Sequence, residues 1–289
     1  MEQSLRAHQA FGIDPSRSRF YSLRQSRYDA LAQDISDWAG AAAAVGQKLS
    51  LLDVGCGWGV LLRHLQFKPH FEDLIISATE LEDASVYLRD YYHEIYFGNL
   101  LDGYPQIPSN IYDVVVCEQV IEHLPEIDSA IGTLERVLKP HGKLIIGVPV
   151  FFPPLHSLRK HLVPLICRFT GVRRLGDHQQ AFSLYSFLRQ VRRHPSLSVL
   201  EVRGFRIISG GLLGPLENFR WWWLLNRWIG RLMPALCIEV QVIMQKAPLS
   251  GGRIDQCIRA SRLGRQRPIT KITKSENHSV PIHHSCQIP

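Results

Sequence analysis

Gly55, Gly57 and Gly59 interrupt the apolar run "LLDVGCGWGVLL" at residues 51–62. Glycine at alternate positions lets a ligand lie against bare backbone, and a helix starting just beyond offers free N–H groups. Carboxylates bracket this turn. Asp53 lies within the preceding run, and Glu80 follows Gly55 by about 25 residues, a spacing suited to holding ribose hydroxyls. Farther on, "CEQVIEHL" brings Glu118, Gln119, Glu122 and His123 together. These residue types support recognition of a nucleotide-like cofactor beside acid–base groups. Two nucleotide readings fail on spacing. A P-loop ends in Gly-Lys-Ser/Thr, but Gly59 is followed by Val60 and Leu61. The dinucleotide fingerprint would put its third glycine at Val60.

The elements that must position these residues alternate in type. "LSLLDVG", "DLIISATE", "EIYFGN", "YDVVVCEQ" and "GKLIIGVP" have the length and apolar content of buried strands. Between them "WGVLLRHLQ", "EDASVYLRDYY" and "EIDSAIGTLERVL" have helical spacing, the last expected to stop at Pro140 and Gly142. Strands separated by helices imply a parallel sheet with helices on both faces, and ligands at the strand C-terminal edge. Later come the helix "AFSLYSFLRQV", with Ser183 as N-cap, and "LSVLEVRGFRIIS", a strand pair or one bent strand. A last strand, "CIEVQVIMQK", follows. Residues 1–48 are expected to form a helical cover, 49–246 the main domain with a lid-like basic insertion at 152–180, and 247–289 a disordered basic tail.

The blocks "LLDVGCGWG", "ATE", "YFGNL", "YDVVVCEQVIEHL" and "LKPHGKLIIGVP" occur in an order and spacing that resemble the class I S-adenosylmethionine-dependent methyltransferases. They span roughly residues 50 to 150. The resemblance implies an α/β, Rossmann-like, doubly wound and mostly parallel seven-stranded sheet, with S-adenosylmethionine as cofactor. It implies that Asp53, Gly55, Cys56 and Gly57 lie against the methionine portion and that Glu80 binds the ribose hydroxyls, with Leu81 against the adenine. Asn99 stands where an Asp usually contacts the adenine amino group, which changes the charge there, and Leu100 would offer a backbone contact. Glu118 and Gln119 would sit beside the place where methyl donor and acceptor meet.

Methyl transfer from a sulfonium is an in-line displacement that positioning can accelerate, so no nucleophilic residue is required. An acceptor hydroxyl can need a base, for which His123 is the candidate, against a structural or capping role. His178, in "DHQQAFSLYSFLRQV", either closes over the substrate or pins its loop. Small-RNA 2′-O-methyltransferases bind a divalent metal through a Glu-x-x-Glu-His block and a later His. Here Gln119 replaces the first Glu, and no metal is expected. The acceptor expected is a small molecule or a lipid- or glycan-linked metabolite, with oxygen weakly favoured. A metal-assisted RNA methyltransferase and a non-catalytic partner subunit are the alternatives.

The net charge of +7 does not mark a nucleic-acid protein. Residues 155–175 hold five Lys/Arg and no acid, and 247–289 hold seven against two, so the rest of the chain is slightly acidic. No specific nucleic acid is expected. The six cysteines form no Cys-x-x-Cys pair, and Cys56 and Cys117 read as small core residues. No apolar run approaches the ~20 residues of a membrane span, and Met1 precedes no apolar leader. A cytoplasmic protein is expected. "FRWWWLLNRWIGRL" packs four tryptophans with three arginines. It reads either as a lid helix burying most of its tryptophans or, with 155–175, as a peripheral membrane contact at 219–231.

Overall fold

The computed structural model describes residues 26–81, 89–151, 180–207, 216 and 219–248. His178, nearly all of the basic insertion, most of the expected helix at 82–92 and the tail from 249 lie outside the described residues.

Seven strands form one sheet: β1 (Leu49–Val54), β2 (Leu74–Glu80), β3 (Glu94–Phe97), β4 (Tyr112–Glu118), β5 (Leu138–Pro149), β6 (Leu197–Phe205) and β7 (Glu239–Lys246). Their order is β3-β2-β1-β4-β5-β7-β6. β1 to β5 run parallel, and β7 inserts antiparallel between β5 and β6. The alternation of strands and helices in the sequence thus folds as expected, into a Rossmann-like doubly wound sheet.

Burial on both faces explains why the strands read as continuous apolar runs. In β4, Val114 and Val116 face one core while Val115 and Cys117 face the other; in β5, Ile145 and Ile146 divide in the same way. Over the first face lie α1 (Ser26–Ala43) and α2 (Val60–Leu65), contributing Leu31, Ile35, Leu61 and Leu65. Over the second lie α3 (Ile127–Val137) and α4 (Leu184–Val191), contributing Ile131, Leu134 and Phe187. Ser183 caps α4, its hydroxyl accepting the Ser186 N–H at 3.2 Å while Ser186 Oγ takes the Ser183 N–H.

One boundary differs from expectation, and one open choice is resolved. The α3 helix ends at Val137 and the chain is already extended at Leu138, before Pro140. Proline forces its predecessor out of helical geometry, and a register shift between Tyr112 and Val114 of β4 absorbs the irregular stretch. The segment "LSVLEVRGF" is one bulged strand, its shift lying between Val199 and Glu201.

Helix α5 (Arg220–Leu232) packs on β6 through small and polar residues. A Cβ on Gly230 would collide with the Gly204 carbonyl, so the two backbones touch. Asn226, also buried, accepts the Ile207 N–H at 3.2 Å and donates to the Trp222 carbonyl at 3.0 Å. The expectation that most tryptophans here are buried fails for Trp221 and Trp228, which are 55% and 62% exposed, while Trp223 is only 7% exposed. Among the described residues no helix is long and apolar enough to cross a membrane.

Candidate active site

The parallel register brings the ends of β3, β2, β1 and β4 to one edge, with Phe97 beside Glu80, Thr79 beside Val54 and Val54 beside Cys117. Asp53, Glu80, Asn99 and Glu118 therefore meet there although they span 66 positions of sequence.

The glycine turn is fixed from both sides. Backbone N–H groups of Gly55 and Cys56 donate to the Thr79 carbonyl at 3.0 and 3.1 Å. Gly55 has φ +67°, and a Cβ there would lie 2.6 Å from Val120 Cγ2, so the position needs glycine for two reasons. Gly57 differs: at φ +49° a Cβ would meet nothing within 4 Å. Its bare side faces open space, a cradle for a ligand. The Gly57 N–H donates to Glu80 Oε2 at 2.7 Å, and the Leu81 N–H donates to Oε1 at 2.9 Å. The carboxylate that ends β2 is thereby held at the glycine turn. Cys56 is buried in the core beneath it and Leu81 is exposed.

Asp53 is buried and accepts the Tyr92 O–H at 3.2 Å. Burial raises its pKa to about 7; the Tyr92 hydrogen bond opposes this, and the nearby charges of Glu118 and Glu80 add to it. Tyr92 escaped the sequence reading because nothing in "RDYYHEI" marks which tyrosine turns inward. Asn99 caps the short turn at Leu100–Asp102, its Oδ1 accepting the Leu101 N–H at 2.9 Å, and Leu100 is buried.

The end of β4 belongs to a buried ion network. Glu118 Oε2 lies 3.2 Å from Arg27 Nε, and Glu118 Oε1 accepts from Gln241 Nε2. Arg27 also reaches Glu239 at 2.6 Å, which Arg206 meets from the other side at 2.8 Å. Arg203 bridges Gln241 at 2.9 Å and Asp34 at 2.6 Å. The Glu118 carboxylate is thus committed to Arg27 of α1 and to Gln241 of β7. Burial still pushes its pKa up to about 7, against the pull of Arg27. Glu122 is fully buried and pushed up to about 8, chiefly by burial. Between them Gln119 takes φ +58°, a conformation that non-glycine residues hold only under constraint from their surroundings. His123 is partly buried in the turn at Ile121–His123. Among the described residues no group of three His, Cys, Asp or Glu side chains could hold a metal ion.

A methyltransferase-domain family model matches residues 52–146. The ubiquinone biosynthesis O-methyltransferase of Rickettsia akari is 34% identical over 103 residues, 35% of this chain and 40% of that protein. The protein of the same name from Rickettsia conorii is 29% identical over 151 residues, 51% of this chain and 47% of its own length. The chain spans less than half the length of these relatives. Over residues 52–146 the chain is thus similar to methyltransferase domains.

Proposed function

We propose that this chain transfers a methyl group from S-adenosylmethionine to an oxygen of a small-molecule or lipid- or glycan-linked acceptor. The meeting of Gly57 and Glu80 carries the reading: an open backbone cradle and a carboxylate lie side by side at one sheet edge. The names of the Rickettsia relatives support the choice of oxygen. Bound S-adenosylmethionine supplies a methyl group made electrophilic by its sulfonium.

Gly55, Cys56 and Gly57 bring backbone against the methionine portion, and Asp53 sets a carboxylate behind it. Glu80 binds the ribose hydroxyls, exchanging its Gly57 partner for them, and Leu81 covers the adenine. The Asn99 amide and the Leu100 backbone take the adenine edge. Gln119, held at the end of β4, borders the reacting centre. Glu118 acts one step behind, anchoring that strand end to Arg27 and Gln241. His123 is the base available to an acceptor hydroxyl, and His178 remains the candidate substrate residue from the sequence. A contact with a membrane surface brings a lipid-linked acceptor to the site.

The test is transfer of labelled methyl to a panel of hydroxylated acceptors, both free and lipid-linked. Label on oxygen of one acceptor class, lost without cofactor binding, is the expected result. Label found only in RNA, and only with added magnesium or manganese, would overturn the small-molecule reading. Failure of the folded protein to bind S-adenosylhomocysteine would overturn the enzyme reading.

Asp53 makes the site sensitive to pH. A cationic ligand favours the ionised carboxylate, and the free protein holds Asp53 protonated up to about pH 7. Affinity for S-adenosylmethionine is therefore expected to rise several-fold between about pH 6 and pH 8, as ionisation ceases to oppose binding. Calorimetry across that range, with Asp53→Asn giving a flattened profile, checks it.

A further inference from the structure

The geometry points to α5 as a docking helix for anionic membrane surfaces, using the face opposite the one it packs on β6. This deepens the lipid-linked acceptor reading and rests on it only for its purpose. On the helix wheel Trp223, Asn226 and Gly230 share the inward face, and all three are buried. The opposite face carries Trp221, Leu224, Leu225, Trp228 and Leu232, each between 38% and 63% exposed. Exposed Met233 and Leu236 continue the patch into the short turn Pro234–Leu236.

Single exposed apolar residues are ordinary on protein surfaces, but a contiguous apolar face marks an interaction site. Its chemistry favours lipid over protein. Tryptophan is the side chain most suited to the headgroup boundary, where one end is wet and the body is apolar. α5 contains no acidic residue, and Arg227 and Arg231 lie along one flank of the exposed stripe. Arg227 is braced over the Trp223 ring, 5.5 Å from its centroid. A tryptophan–leucine face beside arginines complements an anionic headgroup layer in both polarity and charge.

Placement supports the same occupant. The connection from β6 to β7 leaves the sheet at Phe205 and returns at Glu239, and these two residues pair at the edge where Glu118 pairs with Gly147 and Pro149 with Glu239. The helix therefore belongs to the ligand edge. Gly230 on Gly204 and the two Asn226 hydrogen bonds fix it as a rigid platform. A bilayer meeting this face would lie beside the mouth that an acceptor must enter.

The test is sedimentation with vesicles of phosphatidylcholine alone or with phosphatidylglycerol, using the full chain and a Trp221→Ser/Trp228→Ser variant. Both side chains are exposed, so the variant is expected to keep the wild-type circular dichroism and melting temperature. The expected result is binding to the anionic vesicles that falls at least tenfold in the variant and weakens with salt. Wild-type chain that ignores anionic vesicles would overturn the proposal. So would a variant that binds as well as wild type, since the contact would then lie in another basic segment. A wild-type dimer that the variant converts to monomer would assign the face to a second copy instead. Titration with S-adenosylhomocysteine on the same samples separates the two readings. Cofactor binding without vesicle binding removes the docking face alone, and vesicle binding without cofactor binding removes the methyltransferase reading alone.

Discussion

Replacing Glu80 by alanine is expected to weaken binding of S-adenosylhomocysteine by about 100-fold or more while leaving the chain folded. Two ribose hydroxyls donating to one carboxylate make two charge-assisted hydrogen bonds, each worth ~1.5–3 kcal/mol. Losing both costs about 3–6 kcal/mol, or two to four orders of magnitude in affinity. The fold is expected to survive because Glu80 is only partly buried and the N–H groups of Gly57 and Leu81 that it now accepts can turn to water. Glu80→Gln keeps the acceptor oxygen without the charge and should lose roughly tenfold. Calorimetric titration reads both. Unchanged affinity in the alanine variant would remove Glu80 from the site, whatever the protein's activity.

Arg27→Ala should be the most destabilising single change at the buried network, by about 3–5 kcal/mol in urea unfolding. The guanidinium faces Glu118 at 3.2 Å and Glu239 at 2.6 Å, and its removal leaves Glu118 without its paired cation and Glu239 with Arg206 alone. The penalty should depend on pH in a definite direction. Glu118 has a folded pKa raised from 4.5 to about 7, so its contribution to stability is best below about pH 4.5 and is lost as pH rises through about 7. Arg27 limits that loss by stabilising the ionised form. Without it Glu118 stays protonated to higher pH, and the deficit against wild type should be larger at pH 8 than at pH 6. A pH-independent deficit would mean that Arg27 acts through packing alone.

The sequence announced what is local and hid what is distant. β1, β2 and β4 were legible because strands buried on both faces are unbroken apolar runs ended by glycine or acid. Asp53, the glycines and Glu80 were legible because one strand–helix–strand unit holds them at fixed spacing. Arg27 and Gln241 were not. Each completes the surroundings of Glu118 from another part of the chain, and no periodicity encodes such a meeting. Tyr92 was hidden likewise, since only the folded sheet edge shows that it reaches Asp53. The tryptophan helix failed for a different reason. Its tryptophans lie on both faces, so composition could not say which would go inward; Gly230 and Asn226 decide it, by allowing backbone contact and by hydrogen bonding.

Arg27 and Gln241 are joined by a hydrogen bond from Gln241 Nε2 to the Arg27 carbonyl across 214 positions. A ribosome adding ~5–20 residues per second needs roughly 10–40 s to cover that distance. During that interval α1 has left the exit tunnel with its arginine facing a seat that does not yet exist. Glu118 emerges partway through, and Glu239 and Gln241 only near the end. The apolar face of α1 can pack on β1 and α2 as soon as they emerge, whereas its arginine, among the earliest described residues to be synthesised, waits for β7 to complete its network.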